Sequence, residues 1–237
     1  MIKTKKITYK VFLFERVKKK VQFFDREIYP LQIRITAGTR TLYMKSYFFN
    51  LLLQNRYQRV TAGNNQSISI GDVIAFEQKL MDYLLSTEGN ISPDSVRQQY
   101  RSLCRDLLQQ LDDAFKTFMI DFFIDSNLPA YALFLTNDGC NYSSEFILKN
   151  LEQSLQPAMY DQLLQSAAEK GPPYIPLIKF FREKINAPIP VLPVYIWQQE
   201  AVSRTFRLFA QTKFPEYSRP ADYINNLLTD KSTEVYY

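Results

Sequence analysis

Between Leu31 and Thr36 apolar and polar residues alternate without a slip, Leu31, Ile33 and Ile35 against Gln32, Arg34 and Thr36. A period of two puts the first set on one side of a strand and the second on the other, which predicts a half-buried sheet. Pro30 stands at the entrance, where the missing backbone donor is tolerated. Upstream, Ile7 to Phe14 is dense in β-branched and aromatic residues and reads as another strand. Arg16 to Lys20 is a basic turn or an extension of that strand. Downstream, Ala37-Gly38-Thr39-Arg40 reads as a turn in which Gly38 can supply positive φ. A third strand follows from Thr41 to about Phe48, with Leu42, Met44 and Ser46 on one side and Thr41, Tyr43 and Lys45 on the other. The head is therefore expected to be a small antiparallel sheet of three strands.

After residue 69 the period changes to that of a helix. Ile70, Val73, Ile74, Leu80, Met81, Leu84 and Leu85 share one face, and Gly89-Asn90 ends the segment. Ser92-Pro93-Asp94 is a strong helix start, with Ser as cap and Pro in the first turn. Behind it Val96, Tyr100, Leu103, Leu107, Leu111, Phe115, Phe118 and Phe122 recur every three or four residues. One helix is predicted to about Asp125, ~50 Å long at ~1.5 Å per residue, forming the keel of the body. Tyr131 to Leu135 fits a strand or a helix equally. A helix from Ser144 is interrupted at Pro157, and a further segment from about Ala158 ends at Gly171. Leu177 to about Asn186 reads as a short basic helix between proline-containing stretches. Helices are also expected at about Gln198 to Lys213 and from Ser218-Arg219-Pro220 to Asp230. The fold class is α+β: the sheet followed by a mostly α-helical body.

Charge divides the chain at the same place. The first sixty residues hold 14 Lys+Arg and three acidic residues (Glu15, Asp25, Glu27), against 15 basic and 21 acidic residues in the remainder. The overall +5 thus hides a head at +11 and a body at −6. The polar run 61–69 is the candidate linker, giving a head over 1–60 and a helical body over 70–237. At 46% hydrophobic and 22% charged, the chain has the composition of a folded soluble protein. No apolar run approaches the ~18–20 residues of a membrane span, and Val11-Phe12-Leu13-Phe14 is too short for a signal-peptide core. The expected location is cytoplasmic, so the sequons at Asn65, Asn90 and Asn141 carry no meaning for glycosylation.

Several chemistries drop out. The chain has no histidine, which removes Ser-His-Asp and Cys-His triads and histidine-metal sites. The six glycines are isolated, so neither dinucleotide nor phosphate-loop fingerprints exist. No Ser or Thr is followed three residues later by Lys. Cys104 and Cys140 lack a partner motif; Cys104 lies in an apolar helical stripe and reads as a buried thiol. No enzyme activity and no cofactor are expected.

What remains is the basic sheet. Lys10, Lys18, Lys19, Lys20, Arg34, Thr36, Arg40, Thr41, Tyr43 and Lys45 are the candidate nucleic-acid-binding residues, joined by Lys3, Lys5, Lys6 and Arg16 as phosphate neutralisers. Arg34, Thr36, Arg40, Thr41, Tyr43 and Lys45 are expected on the polar side of adjoining strands. A sheet of this width fits the major groove, where Arg or Lys reads guanine and Thr meets thymine methyls. The alternative is an ordinary solvated sheet face. Two further constellations have bland alternatives. Asp106, Asp112, Asp113, Asp121 and Asp125 lie along the predicted keel, with Asp121 and Asp125 at metal-binding spacing or simply exposed. Lys179, Arg182 and Lys184 with Arg204, Arg207 and Lys213 form a second phosphate patch or solvated helix faces.

The stretch Ile7-Thr-Tyr-Lys-Val-Phe-Leu-Phe, the basic turn and Tyr29-Pro-Leu-Gln-Ile-Arg-Ile-Thr-Ala-Gly-Thr-Arg-Thr-Leu-Tyr-Met resemble the N-terminal arm-binding domain of phage and conjugative-transposon integrases. The resemblance covers about 45 residues. It implies a three-stranded sheet in the major groove of duplex DNA, with Arg34, Thr36, Arg40, Thr41 and Lys45 near the DNA. The Thr-Gly pair that often follows the third strand is replaced by Ser46-Tyr47. The Arg, Lys, His-x-x-Arg and Tyr set of the recombinase catalytic domain is missing, and Tyr236 and Tyr237 stand without it. The expectation is a non-enzymatic DNA-binding protein, of the kind an accessory protein of a mobile genetic element would be. The rival is an assembly protein whose aromatic-rich helical body binds a protein partner.

Overall fold

A computed structural model of the chain describes residues 7–54, 57, 68–87, 92–185 and 191–229. Lys3, Lys5, Lys6, residues 61–67 of the expected linker, and Tyr236 and Tyr237 lie outside the described residues. The protein is α+β, a small antiparallel sheet of three strands followed by a mostly helical body. The chain forms two compact units, Met1–Arg105 with Pro188–Tyr195, and Asp106–Ala187 with Ile196–Tyr237.

In the first unit, strands β1 (Ile7–Leu13), β4 (Leu31–Ala37) and β5 (Arg40–Lys45) make the sheet in the order β1-β4-β5. Gly38 turns β4 into β5 at φ 63°, a conformation that a Cβ penalises. Between β1 and β4 the chain makes a hairpin of β2 (Val21–Phe23) and β3 (Arg26–Ile28) that alternation does not reveal. Its two-residue loop, Phe24-Asp25, lacks the usual Asn-Gly signal, and Phe24 takes φ 51°. Packing holds it there, because Phe23 lies edge-on to Phe24 at 4.6 Å and stacks on Phe49 at 5.2 Å.

The third strand stops at Lys45, short of the expected Phe48, because Ser46 caps a helix. Its Oγ accepts from Phe49 N at 3.0 Å and starts α1 (Tyr47–Leu52). Helices α2 (Ile70–Thr87) and α3 (Pro93–Leu103) cover the apolar side of the sheet. Leu31, Ile33, Ile35 and Met44 are buried against them, each contributing about 1.5–3 kcal/mol by leaving water. The start of α2 is a reciprocal cap, Ser69 Oγ accepting from Asp72 N at 3.1 Å and Asp72 Oδ2 from Ser69 N at 3.0 Å. Residues 191–195 are buried and return to this unit. Val194 N donates to Arg105 O at 2.9 Å, and the Tyr195 ring meets Phe76 at 6.0 Å and Tyr83 at 5.1 Å.

The helix predicted from Ser92 to Asp125 is two helices. After α3 the chain breaks at Cys104–Asp106, and Asp106 caps α4 (Leu107–Asp125) by accepting from Leu108 N at 3.0 Å. A capping carboxylate inside an unbroken apolar rhythm explains why spacing alone reads as continuous. The compact units divide at this break, so α2 and α3 belong with the sheet.

In the second unit α4 is the central element. Around it pack α5 (Pro129–Asn137), α6 (Ser144–Ser154), α7 (Pro157–Lys170) and α8 (Tyr174–Phe180), the last continued by a π-helical turn to Ile185. Tyr131 to Leu135 is helical. Phe115, Met119 and Phe123 are fully buried, with Phe115 against Tyr174 at 5.7 Å and Phe123 stacked on Tyr131 at 5.1 Å. Asp112 is a buried tie between helices, Oδ1 accepting from Ser144 N at 2.7 Å and Oδ2 pairing with Lys116 at 2.9 Å. A short helix α9 (Val194–Trp197) leads into α10 (Glu200–Lys213) and α11 (Pro220–Thr229). Trp197 packs on Phe206 at 5.2 Å and donates to Asn225 Oδ1 at 3.1 Å.

Candidate nucleic-acid interface

The register of the sheet assembles the site. On the face turned away from α2 and α3, cross-strand partners line up in three rows: Thr8–Thr36–Thr41, Lys10–Arg34–Tyr43 and Phe12–Gln32–Lys45. The pleat explains the membership, since residues of one parity share a face and the other parity is Leu31, Ile33, Ile35 and Met44 in the core. Lys10, Arg34, Thr41, Tyr43 and Lys45 are exposed, while Phe12, Gln32 and Thr36 are half-buried. The face carries three cations and no carboxylate. Among the described residues none of the three enters an ion pair. Tyr43, at 56% exposure, is the most open aromatic ring of the first unit.

Arg40 departs from the expected grouping. It pairs with Ala37 and shares parity with Leu42 and Met44, so it belongs to the core-side set and stays exposed only because the Gly38 turn ends the sheet there. Lys18, Lys19 and Lys20 lie off the face, in the exposed loop joining β1 to β2, with Lys20 Nζ 5.3 Å from the Tyr29 ring centroid. All three acidic residues of the head, Glu15, Asp25 and Glu27, are in this same loop and hairpin, which dilutes its charge. Thr8, Phe12 and Gln32 share the face although charge reasoning passes over them. The signal was present in the period-two parity of Lys10 and Arg34.

Behind the face, Ser46 Oγ and the Tyr100 hydroxyl both donate to Glu77 Oε1, the latter at 2.7 Å. Glu77 is fully buried and its Oε2 has no hydrogen-bond partner. Burial pushes its carboxyl up to about 7. The Tyr9 hydroxyl, which donates to Asp82 Oδ1 at 2.6 Å, is pushed up to about 12, mainly by burial and then by that partner. Cys104 is buried beside this network, and burial raises its thiol well above the ordinary value.

The remaining candidate sets separate on their partners. In the second unit Arg182 binds Glu145 through both nitrogens, Arg207 lies 3.7 Å from Asp222, and Lys213 4.0 Å from Glu183. That basic patch is neutralised in place, whereas the sheet face is not. Of the carboxylates, Asp106 is a cap, Asp112 a buried tie, and Asp121 and Asp125 are exposed. Among the described residues no group of three potential ligands could hold a metal ion. An apolar cleft of about 580 Å³ between α5 and α6 is lined by Tyr131, Phe134, Tyr142, Phe146 and Asn150. Among the described residues no helix is long and apolar enough to cross a membrane.

Comparisons with family models, characterised proteins and solved structures return no match, so the functional reading rests on these residues.

Proposed function

We propose that the protein is a non-enzymatic DNA-binding protein that contacts duplex DNA through the outer face of its N-terminal sheet. The observation that carries the reading is a face with Lys10, Arg34 and Lys45 and no carboxylate, on a head of formal charge +11. Unpaired cations on one surface neutralise phosphates and release counterions. Tyr43, Thr36 and Thr41 supply the polar and apolar contacts that a groove offers. The resemblance of residues 7–44 to integrase arm-binding domains points the same way, and suggests an accessory protein of a mobile element.

Gel shift on duplex DNA tests the reading. Replacing Lys10, Arg34 and Lys45 by Ala is expected to weaken binding sharply and to reduce the slope of log affinity against log salt by about 3, at ~0.9 per phosphate contact. Binding and slope equal to those of the unaltered chain would sink it.

A second reading has its own observation. Phe134, Tyr142 and Phe146 are exposed around the cleft of the second unit, which suits contact with a protein partner. That reading predicts complexes that survive nuclease treatment, visible by light scattering.

A further inference from the structure

The sheet face holds more than charge, because its three strands divide the chemistry between them. The outward residues of the central strand β4 are Gln32, Arg34 and Thr36, and the free cations beside them, Lys10 and Lys45, stand on the two edge strands. We infer that β4 reads three alternate base pairs, A·T, G·C and A·T in order, while the edge strands hold the two phosphate backbones. The inference rests on the DNA reading above.

Dimensions set the orientation. The seven residues of β4 extend ~20 Å at ~3.4 Å per residue, too long to lie across a major groove ~12 Å wide. Across the sheet, two strand spacings of ~4.8 Å come to ~10 Å, which fits. The strands therefore run along the groove, with β4 over its floor and β1 and β5 against its walls. Outward side chains on β4 then recur every ~6.8 Å, two base-pair rises of ~3.4 Å each. Gln32, Arg34 and Thr36 meet every second base pair across a window of about five.

The side chains fix the order. The Arg34 fork fits guanine O6 and N7, and the Gln32 amide fits adenine N6 and N7. Thr36 Oγ1 lies 3.5 Å from Thr41 Oγ1, so its hydroxyl is occupied within the sheet and its methyl is left for a thymine methyl. Lys10 flanks Arg34 from β1, and Lys45 flanks Gln32 from β5, one cation for each wall. A site built this way has a central G·C pair with A·T pairs two steps away on both sides.

Selection of bound duplexes from a random library by the full chain tests this. The expected result is enrichment of that alternate pattern. Arg34→Ala should lose the central G·C preference, with discrimination falling about 5- to 150-fold. Gln32→Ala should relax one flanking pair, and Lys10→Ala or Lys45→Ala should weaken all sequences equally. Thermal melting of each variant checks folding, and Arg34→Lys, which keeps the charge but not the fork, should still lose most of the discrimination. Selected duplexes without the alternate pattern, or with a pattern indifferent to Arg34→Ala, overturn the inference and leave DNA binding standing. Retention of no duplex overturns both.

Discussion

The Tyr100 hydroxyl donates to Glu77 Oε1 at 2.7 Å, inside a part of the first unit where the carboxyl has no access to water. Ser46 donates to the same oxygen and also caps α1. One acidic side chain of α2 thus joins the end of the sheet, the start of α1 and α3.

This arrangement makes stability depend on pH. Burial holds the folded-state value of Glu77 at about 7, above that of the unfolded chain, so the folded protein keeps a proton that the unfolded chain releases. The contribution is fully present below about pH 4.5 and declines up to about pH 7, by on the order of 3 kcal/mol in all. Tyr100 and Cys104 face the carboxyl and are both pushed upward, mainly by burial, so neither titrates in that window. Urea unfolding at a series of pH values should show the decline, and Glu77→Gln should remove it and be the more stable form at pH 8. A decline equal in both proteins counts against the assignment.

Asp112→Ala is expected to destabilise the second unit strongly. It strips Ser144 N of its acceptor at the start of α6 and leaves the Lys116 ammonium, only 13% exposed, without its partner. Breaking such a pair costs about 3–5 kcal/mol. Removing Lys116 as well, as Met, should recover part of the loss in thermal melting, because the unpaired charge goes with it.

Arg34 and Arg40 should behave differently despite their similar exposure. Arg34 lies in the middle row of the outer face, and Arg40 has the opposite parity at the Gly38 turn. In gel shift, Arg34→Ala should weaken binding several-fold more than Arg40→Ala. Equal losses would mean that proximity to the turn matters more than the face.

The two thiols offer a check on the helix break. Cys104 is buried and Cys140 is exposed, so a thiol reagent should titrate one group in the native protein and two in urea. Rapid reaction of both in the native state would contradict the packing around Cys104.

Gly38→Ala should cost about 1 kcal/mol, since its φ of 63° is left-handed and the turn sets the register of β4 against β5. Urea midpoints at fixed pH measure it directly.

How much of this was legible depended on whether the signal was local. The alternation from Leu31 to Thr36 encodes both the strand and its polar face, and the Ser92-Pro93 start of α3 is equally plain. The hairpin at Val21–Ile28 was hidden because Phe24 is held at positive φ by packing among Phe23, Phe24 and Phe49 rather than by turn residues. The break before α4 was hidden because Cys104, Leu107 and Leu108 keep the apolar rhythm across it. Thr8, Phe12 and Gln32 joined the candidate site only through the register of β1 and β4, a long-range property that charge counting does not carry.

The return of residues 191–195 to the first unit has a consequence during synthesis. The sheet and its covering helices can collapse once Arg105 has emerged, but Phe76 and Tyr83 wait for Tyr195, which the ribosome makes only after most of the second unit. At ~5–20 residues per second that interval lasts seconds, far longer than helix or hairpin formation. The head is thus a late-maturing module at the front of the chain, and its final closure is timed by residues near the other end.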